Sequence, residues 1–95
     1  GLSRGDTYKD YQQLLGKASV DAVIIATPPF EHPPMVEAAV EARKHIYCEK
    51  PMGVDVAGCK RVIAAARKLG NSKVFSVGFQ QRYGQVYLEA YKRLQ

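Results

Sequence analysis

The chain has 95 residues, of which 46% are hydrophobic and 24% are charged, and its formal net charge is +5. This size and composition are typical of one small globular domain, and no apolar run approaches the roughly 20 residues that a membrane helix needs. Nucleic-acid binding is not indicated, because the basic residues are scattered and most lie beside acids on predicted helices. We expect neither a membrane nor a nucleic acid as a partner.

The beginning of the chain bears on its location, and the two cysteines bear on whether it contains disulfides or a metal site. The stretch "GLSRGDTYKD" lacks the apolar segment of a signal peptide, and it lacks a starting Met, as a piece of a longer protein would. We expect a cytoplasmic location, with any targeting segment of the longer protein outside this chain. Cys48 and Cys59 are too few for a disulfide framework or a metal site. We expect both to lie in the core and expect no metal.

The first predicted elements are a helix and a strand. Asp6 or Thr7 can cap the helix, Gly16 ends it, and its apolar residues recur at helical spacing: Tyr8, Tyr11, Leu14 and Leu15. The stretch "VDAVIIAT", residues 20–27, then contains a continuous apolar run rather than an alternating one. Such a run is typical of a strand covered on both faces in a parallel sheet. The two prolines that follow, Pro28 and Pro29, end this strand.

A second helix–strand pair follows. Pro33 and Pro34 suit the first turn of a helix, where a missing N–H costs little, and its apolar stripe contains Val36, Ala39 and Val40. The residues 45–48, "HIYC", predict the next strand.

The last elements continue the alternation. Asp55 is the predicted cap of a third helix and Gly70 its end, with five inward-facing residues: Cys59, Val62, Ile63, Ala66 and Leu69. The stretch "KVFSVGF", residues 73–79, predicts a third strand, and residues 86–94 predict a helix.

The alternation of helices and strands predicts the fold class. It indicates an α/β protein with a partial Rossmann-like, doubly wound parallel sheet of three strands with helices on its faces. The first strand is too apolar for an exposed edge, so we expect a neighbouring strand from a preceding segment or a partner chain.

Polar residues follow each predicted strand, at the sheet edge where ligands bind in open α/β folds. The three stretches are "ATPPFEH" from Ala26 to His32, "EKP" from Glu49 to Pro51, and "GFQQRY" from Gly78 to Tyr83. Each has an ordinary alternative: a strand stop, a surface lysine or a surface arginine. The sequence contains no GxGxxG, no P-loop and no zinc-protease motif.

These motifs together resemble one known family. The run "VDAVIIATPPFEHPPMVEAAVEARKHIYCEKPMG", followed by a capped helix and "VGFQQRY", is similar to the Gfo/Idh/MocA oxidoreductases, which include glucose–fructose oxidoreductase and inositol dehydrogenase. The resemblance covers nearly the whole chain. It implies that residues 1–95 are the later half of an N-terminal NAD(P)-binding Rossmann domain, with the Gly-rich first turn upstream and a substrate domain downstream.

The resemblance also implies roles for particular residues at the three strand ends. Lys50 is the catalytic candidate, pointing at the hydroxyl of the reacting carbon. The implied cofactor-binding residues are Ala26, Thr27, Pro28, Pro29, His32, Glu49, Lys50, Pro51, Gln80 and Arg82. Two positions depart from the family, which often has Asn in place of Pro29 and commonly has Gly in place of Arg43.

The function implied is an NAD- or NADP-dependent oxidoreductase that transfers hydride between nicotinamide and a hydroxyl-bearing carbon of a sugar, a polyol or a derivative. The complete protein is expected to be a homo-oligomer, and the 95-residue chain alone is expected to be inactive. The alternative is a truncated Rossmann fragment without catalysis, or an association module, because likeness of fold does not establish function.

Overall fold

The computed structural model describes residue 5 and residues 7–16 and 19–95. Five α-helices and three strands follow one another in these ranges: α1 Tyr11–Leu15, β1 Ala22–Ile25, α2 His32–Glu41, β2 His45–Glu49, α3 Val56–Leu69, β3 Phe75–Gly78, α4 Gln80–Tyr83 and α5 Gln85–Leu94. Short 3-10 turns at Pro29–Glu31 and Gly70–Ser72 precede α2 and follow α3. The predicted alternation is confirmed.

The three strands form one parallel sheet in the order β1-β2-β3. Ile25 of β1 is paired with Cys48 of β2, and Cys48 with Val77 of β3, so the three strands end at the same edge. Ile46 and Cys48 point into the core, which also contains the predicted stripe of α2: Val36, Ala39 and Val40. The predicted fold class and the core position of Cys48 are therefore confirmed.

Helices α2 and α3 pack against each other and share the sheet face that buries Ile46 and Cys48. On the opposite face, Ile24 is 77% exposed beside its partner Tyr47. In the described ranges β1 is thus an edge strand with an apolar residue in solvent. The neighbouring strand expected from the sequence stays a prediction.

The structure corrects the predicted cap of α1 and confirms the predicted cap and end of α3. Asp10 caps α1, accepting a hydrogen bond from the Gln12 N–H at 2.9 Å, so the cap is not Thr7; the other candidate, Asp6, lies outside the described residues. Asp55 caps α3 as predicted, because its Oδ1 accepts from the Gly58 N–H at 2.6 Å. Gly70 ends α3 with a φ of 62°, a left-handed conformation that glycine adopts without strain.

The inward face of α3 differs from the predicted one. Ile63 is 53% exposed, and Cys59 and Ala66 are only half-buried, whereas the buried positions are Gly58, Val62, Ala65 and Leu69. These four recur every three or four residues and so form one helical stripe, while Ile63 lies next to Val62 in sequence and therefore points away from it. The predicted set included the neighbours Val62 and Ile63, and one narrow helical stripe does not bury two consecutive residues.

Candidate functional site at the carboxyl ends of the strands

The three predicted polar stretches meet at one edge of the sheet. They begin where β1 ends at Ile25, where β2 ends at Glu49 and where β3 ends at Gly78. The strands are parallel and in register, so their carboxyl ends lie side by side. The expectation that these stretches converge is confirmed.

Lys50 faces a groove at this edge. A cavity of about 410 Å³ is lined by Lys50, Phe79, Gln80, Gln81 and Arg82. The backbone N–H of Lys50 donates to the Gly78 carbonyl at 3.3 Å, which ties the end of β2 to the end of β3. The Lys50–Pro51 peptide bond is cis. The side chain of Lys50 is thus exposed toward the groove while its backbone is held by the sheet.

Helix α4, which the sequence patterns did not predict, supplies the other side of the groove. Gln80 and Arg82 belong to this single turn, and the Arg82 guanidinium carbon lies 5.7 Å from the centre of the Phe79 ring. This distance is within the range of a cation–π contact between two residues that both line the cavity. Phe79 and Gln81 were missing from the predicted site, although their place directly after a strand is a position where ligand contacts are common.

Glu49 points along the sheet rather than into the groove. Its carboxylate lies over the backbone of Gly78, its partner in β3. It also faces Tyr47, whose pKa is raised, first by partial burial and then by the charge of Glu49. Because Glu49 does not line the cavity with Lys50, its predicted contact with the cofactor stays a prediction.

His32 is buried at the start of α2, with 1% of its surface exposed. Its Nδ1 lies 2.6 Å from the Pro51 carbonyl oxygen and its Nε2 lies 2.9 Å from the Thr27 carbonyl oxygen. The sequence resemblance implied a histidine beside the cofactor. In the structure each ring nitrogen faces a backbone carbonyl oxygen, and the two carbonyls belong to two neighbouring turns.

The stretch after β1 forms a separate part of this edge. The Thr27 hydroxyl donates a hydrogen bond to the Met35 sulfur at 3.4 Å, while Ala26 and Pro28 are exposed. Pro29 begins the 3-10 turn that leads into α2. These residues do not line the cavity beside Lys50. The ring of His32 links the turn after β1 to the turn after β2, because it contacts the carbonyl oxygens of Thr27 and Pro51.

The donor set fits the polar part of a nicotinamide dinucleotide. Lys50 and Arg82 offer positive N–H donors, Gln80 and Gln81 offer amides for ribose or carboxamide groups, and Phe79 offers an apolar face. Because the printed sequence contains no GxGxxG, the described residues account for only part of such a site.

Within residues 5, 7–16 and 19–95, no group of three His, Cys, Asp or Glu side chains is placed to hold a metal ion. None of the helices described here combines the length and apolar character needed to cross a membrane.

Comparison with known proteins places the chain in a family. The model of an oxidoreductase family with an NAD-binding Rossmann fold, GFO_IDH_MocA, matches residues 3–79. An inositol 2-dehydrogenase from Salmonella typhimurium is 39% identical over 82 residues, which cover 86% of this chain and 24% of that protein. The match therefore extends over most of the chain.

Solved structures agree with the sequence comparison. A myo-inositol 2-dehydrogenase from Lactobacillus plantarum is similar with a TM-score of 0.83 and 30% identity, covering 92% of this chain and 25% of that one. A scyllo-inositol dehydrogenase from Lactobacillus casei, solved with NAD(H) and scyllo-inositol, has a TM-score of 0.81 and 29% identity, covering 90% and 25%.

The chain spans about a quarter of the length of these relatives. Within that quarter, the family model, the sequence identity and the order of the strands agree with the strand-end motifs first read from the sequence. The chain belongs to the GFO/IDH/MocA oxidoreductase family, at its NAD-binding Rossmann fold.

Proposed function

We propose that the full-length protein carrying this chain is an NAD- or NADP-dependent dehydrogenase of a polyol, a sugar or a derivative. Cyclic polyols such as inositols are the first substrates to test, because relatives and structural neighbours carry that name. The observation that supports the proposal most is Lys50, placed at the end of β2 in a polar groove of a chain that belongs to an oxidoreductase family.

The residues of this chain would act by binding and by electrostatic stabilisation. When bound, the nicotinamide accepts a hydride from the hydroxyl-bearing carbon or returns one to the ketone. The ammonium group of Lys50 would donate a hydrogen bond to the reacting oxygen. It would stabilise the alkoxide charge that forms there as the hydroxyl gives its proton to a base, or as hydride adds to the ketone in the reverse direction. Arg82, Gln80 and Gln81 hold the polar groups of the cofactor in the groove.

We keep the assignment of residues 1–95 to the later half of the Rossmann domain, and the homo-oligomeric state, as predictions. The same holds for the cofactor contacts of Ala26, Thr27, Pro28, Pro29, His32 and Pro51. The family match favours the dehydrogenase over the alternative of a truncated, non-catalytic fragment.

The test is an activity screen of the purified full-length protein. Each of NAD and NADP is combined with a panel of inositols, acyclic polyols and aldoses, and the absorbance of reduced nicotinamide is followed. We expect saturable reduction of one cofactor with at least one compound. If neither cofactor is reduced with any of them, and fluorescence titration detects no binding of reduced cofactor, the proposal is wrong.

A further inference from the structure

His32 is an unusual residue for the interior of this fold. Of the polar and charged side chains in the described residues, it alone is buried, with 1% exposure. Burying a polar ring costs free energy unless its nitrogens find partners. Both nitrogens of His32 have one, and both partners are backbone carbonyl oxygens.

The two carbonyls belong to different strand ends. Thr27 follows β1 and Pro51 follows β2, directly after Lys50. A carbonyl oxygen only accepts hydrogen bonds, so each ring nitrogen must carry a proton to bond with it. The neutral ring donates to one of the two carbonyls, and the imidazolium donates to both. The ring donates to the Pro51 carbonyl when Nδ1 carries the proton, as it does in one neutral tautomer and in the imidazolium.

We propose that His32 is a positioning residue that holds Lys50 at the reacting oxygen by fixing the Pro51 carbonyl against the turn at Thr27. This inference depends on the proposed dehydrogenase function. The ring is buried and both of its nitrogens face the backbone of the chain rather than the groove beside Lys50. Its effect passes through Pro51, whose backbone is continuous with that of Lys50.

The backbone of Lys50 is held from two sides in this arrangement. On one side the Lys50 N–H donates to the Gly78 carbonyl at 3.3 Å, a long hydrogen bond. On the other side the contact of 2.6 Å between His32 and Pro51 restrains the next residue. A displacement of about 1 Å in a catalytic group can lower turnover on the order of 100-fold, so the shorter contact matters for rate.

A purely structural role for His32 predicts something different. A buried ring that only fills space would, when replaced, destabilise the fold without changing what Lys50 contributes to turnover. Val36 provides a matched control, because it is one turn further along α2 and is 0% exposed. Val36→Ala creates a cavity in the same core and leaves the contacts to Thr27 and Pro51 in place.

The test is a double-mutant cycle in the full-length protein with His32→Leu and Lys50→Ala. We expect His32→Leu to lower kcat on the order of 10- to 100-fold, with cofactor affinity nearly unchanged. If His32 acts through Lys50, His32→Leu should cost little more in the Lys50→Ala protein. In the Val36→Ala protein, Lys50→Ala should keep its full effect. Additive losses of His32→Leu and Lys50→Ala would overturn the inference.

Two further measurements keep the inference testable if a variant folds poorly or if the reaction is not found. His32→Gln retains an N–H donor and should lose less turnover than His32→Leu. Hydrogen exchange at the Lys50 amide should be faster in both His32 variants than in Val36→Ala; equal exchange would overturn the inference without any activity measurement. If Lys50→Ala alone leaves turnover unchanged, the role of Lys50 and this inference with it are overturned, whereas the dehydrogenase activity proposed above still stands.

Discussion

The carboxylate of Glu49 occupies the space where a side chain at position 78 would stand. A Cβ built on Gly78 would lie 2.6 Å from the carboxyl carbon of Glu49 and 2.6 and 2.8 Å from its two oxygens. The two residues are partners across β2 and β3. The absence of a side chain at Gly78 is thus what lets Glu49 lie flat on the sheet beside the Lys50 groove.

Gly78→Ala is therefore expected to displace the Glu49 carboxylate. The added methyl group overpacks this point, which costs about 1–3 kcal/mol of unfolding free energy, at the lower end if the flexible Glu49 side chain moves aside. Chemical denaturation measures the change. Gly16→Ala is the matched control, because its Cβ would meet the nearest atoms at 3.6 Å, an ordinary contact.

The Glu49→Ala background separates this contact from other effects of the alanine. With the carboxylate gone, Gly78→Ala should lose most of its cost, since the atoms that it would meet are removed. An equal cost of Gly78→Ala in both backgrounds would show that Glu49 is not the obstacle.

Arg43 adopts the left-handed conformation that the family's glycine would adopt, with a φ of 56°. A residue with a Cβ pays about 1–2 kcal/mol in this conformation, so Arg43→Gly should stabilise the fold. The gain is reduced because the guanidinium donates a hydrogen bond to the Ser72 hydroxyl at 2.6 Å. We expect a net gain of about 0.5–1 kcal/mol by chemical denaturation.

Arg43→Ala tests the reason for that gain. It removes the hydrogen bond to Ser72 but keeps the strained φ, so it should be less stable than Arg43→Gly by roughly 1 kcal/mol. Equal stability of the two variants would mean that the backbone conformation contributes nothing.

Arg61 and Glu37 join α3 to α2 through two hydrogen bonds of 2.8 and 2.5 Å. The side-chain hydrogen bond from Arg61 lowers the pKa of Glu37 in the folded state. The pair therefore stabilises the fold fully above the ordinary glutamate pKa of about 4.3, and the contribution is lost as the pH falls through the lower folded value. Since both side chains are exposed to solvent, screening keeps this contribution small.

The measurement compares Glu37→Gln with the unaltered protein by denaturation at pH 7 and at about pH 3. Glu37→Gln should be less stable at pH 7, and the difference should shrink at the lower pH. Glu89→Gln is the control, because Glu89 pairs with Arg93 only within α5. A difference for Glu37→Gln that does not change with pH would contradict the assignment.

Local patterns predicted most of the fold. The continuous apolar run before Pro28, the stripe of α2 and the cap at Asp55 depend on neighbouring residues, and each predicted its element correctly. The convergence of the three strand ends followed from parallel alternation alone. Residues near in sequence were thus sufficient for the elements and for the edge where the site lies.

Features that depend on distant contacts were not predicted. The burial of His32 depends on the Pro51 carbonyl, 19 positions away in sequence. The exposure of Ile63 depends on which stripe of α3 meets α2. The cap at Asp10 depends on where the chain first turns toward the core. Helix α4 is a single turn after β3, too short for its periodicity to be recognised.

Lys50→Ala is the most direct test of the central assignment, measured as steady-state turnover of the full-length protein together with fluorescence titration of reduced cofactor. We expect turnover to fall on the order of 100- to 1000-fold while cofactor affinity changes little, because one placed donor to the developing charge is removed. Lys50→Arg should restore turnover only in part, since the planar guanidinium is larger. Lys60→Ala, at an exposed position of α3, should behave as the unaltered protein. Turnover of Lys50→Ala within about threefold of the unaltered protein would show that Lys50 is an ordinary surface lysine and that the assignment is wrong.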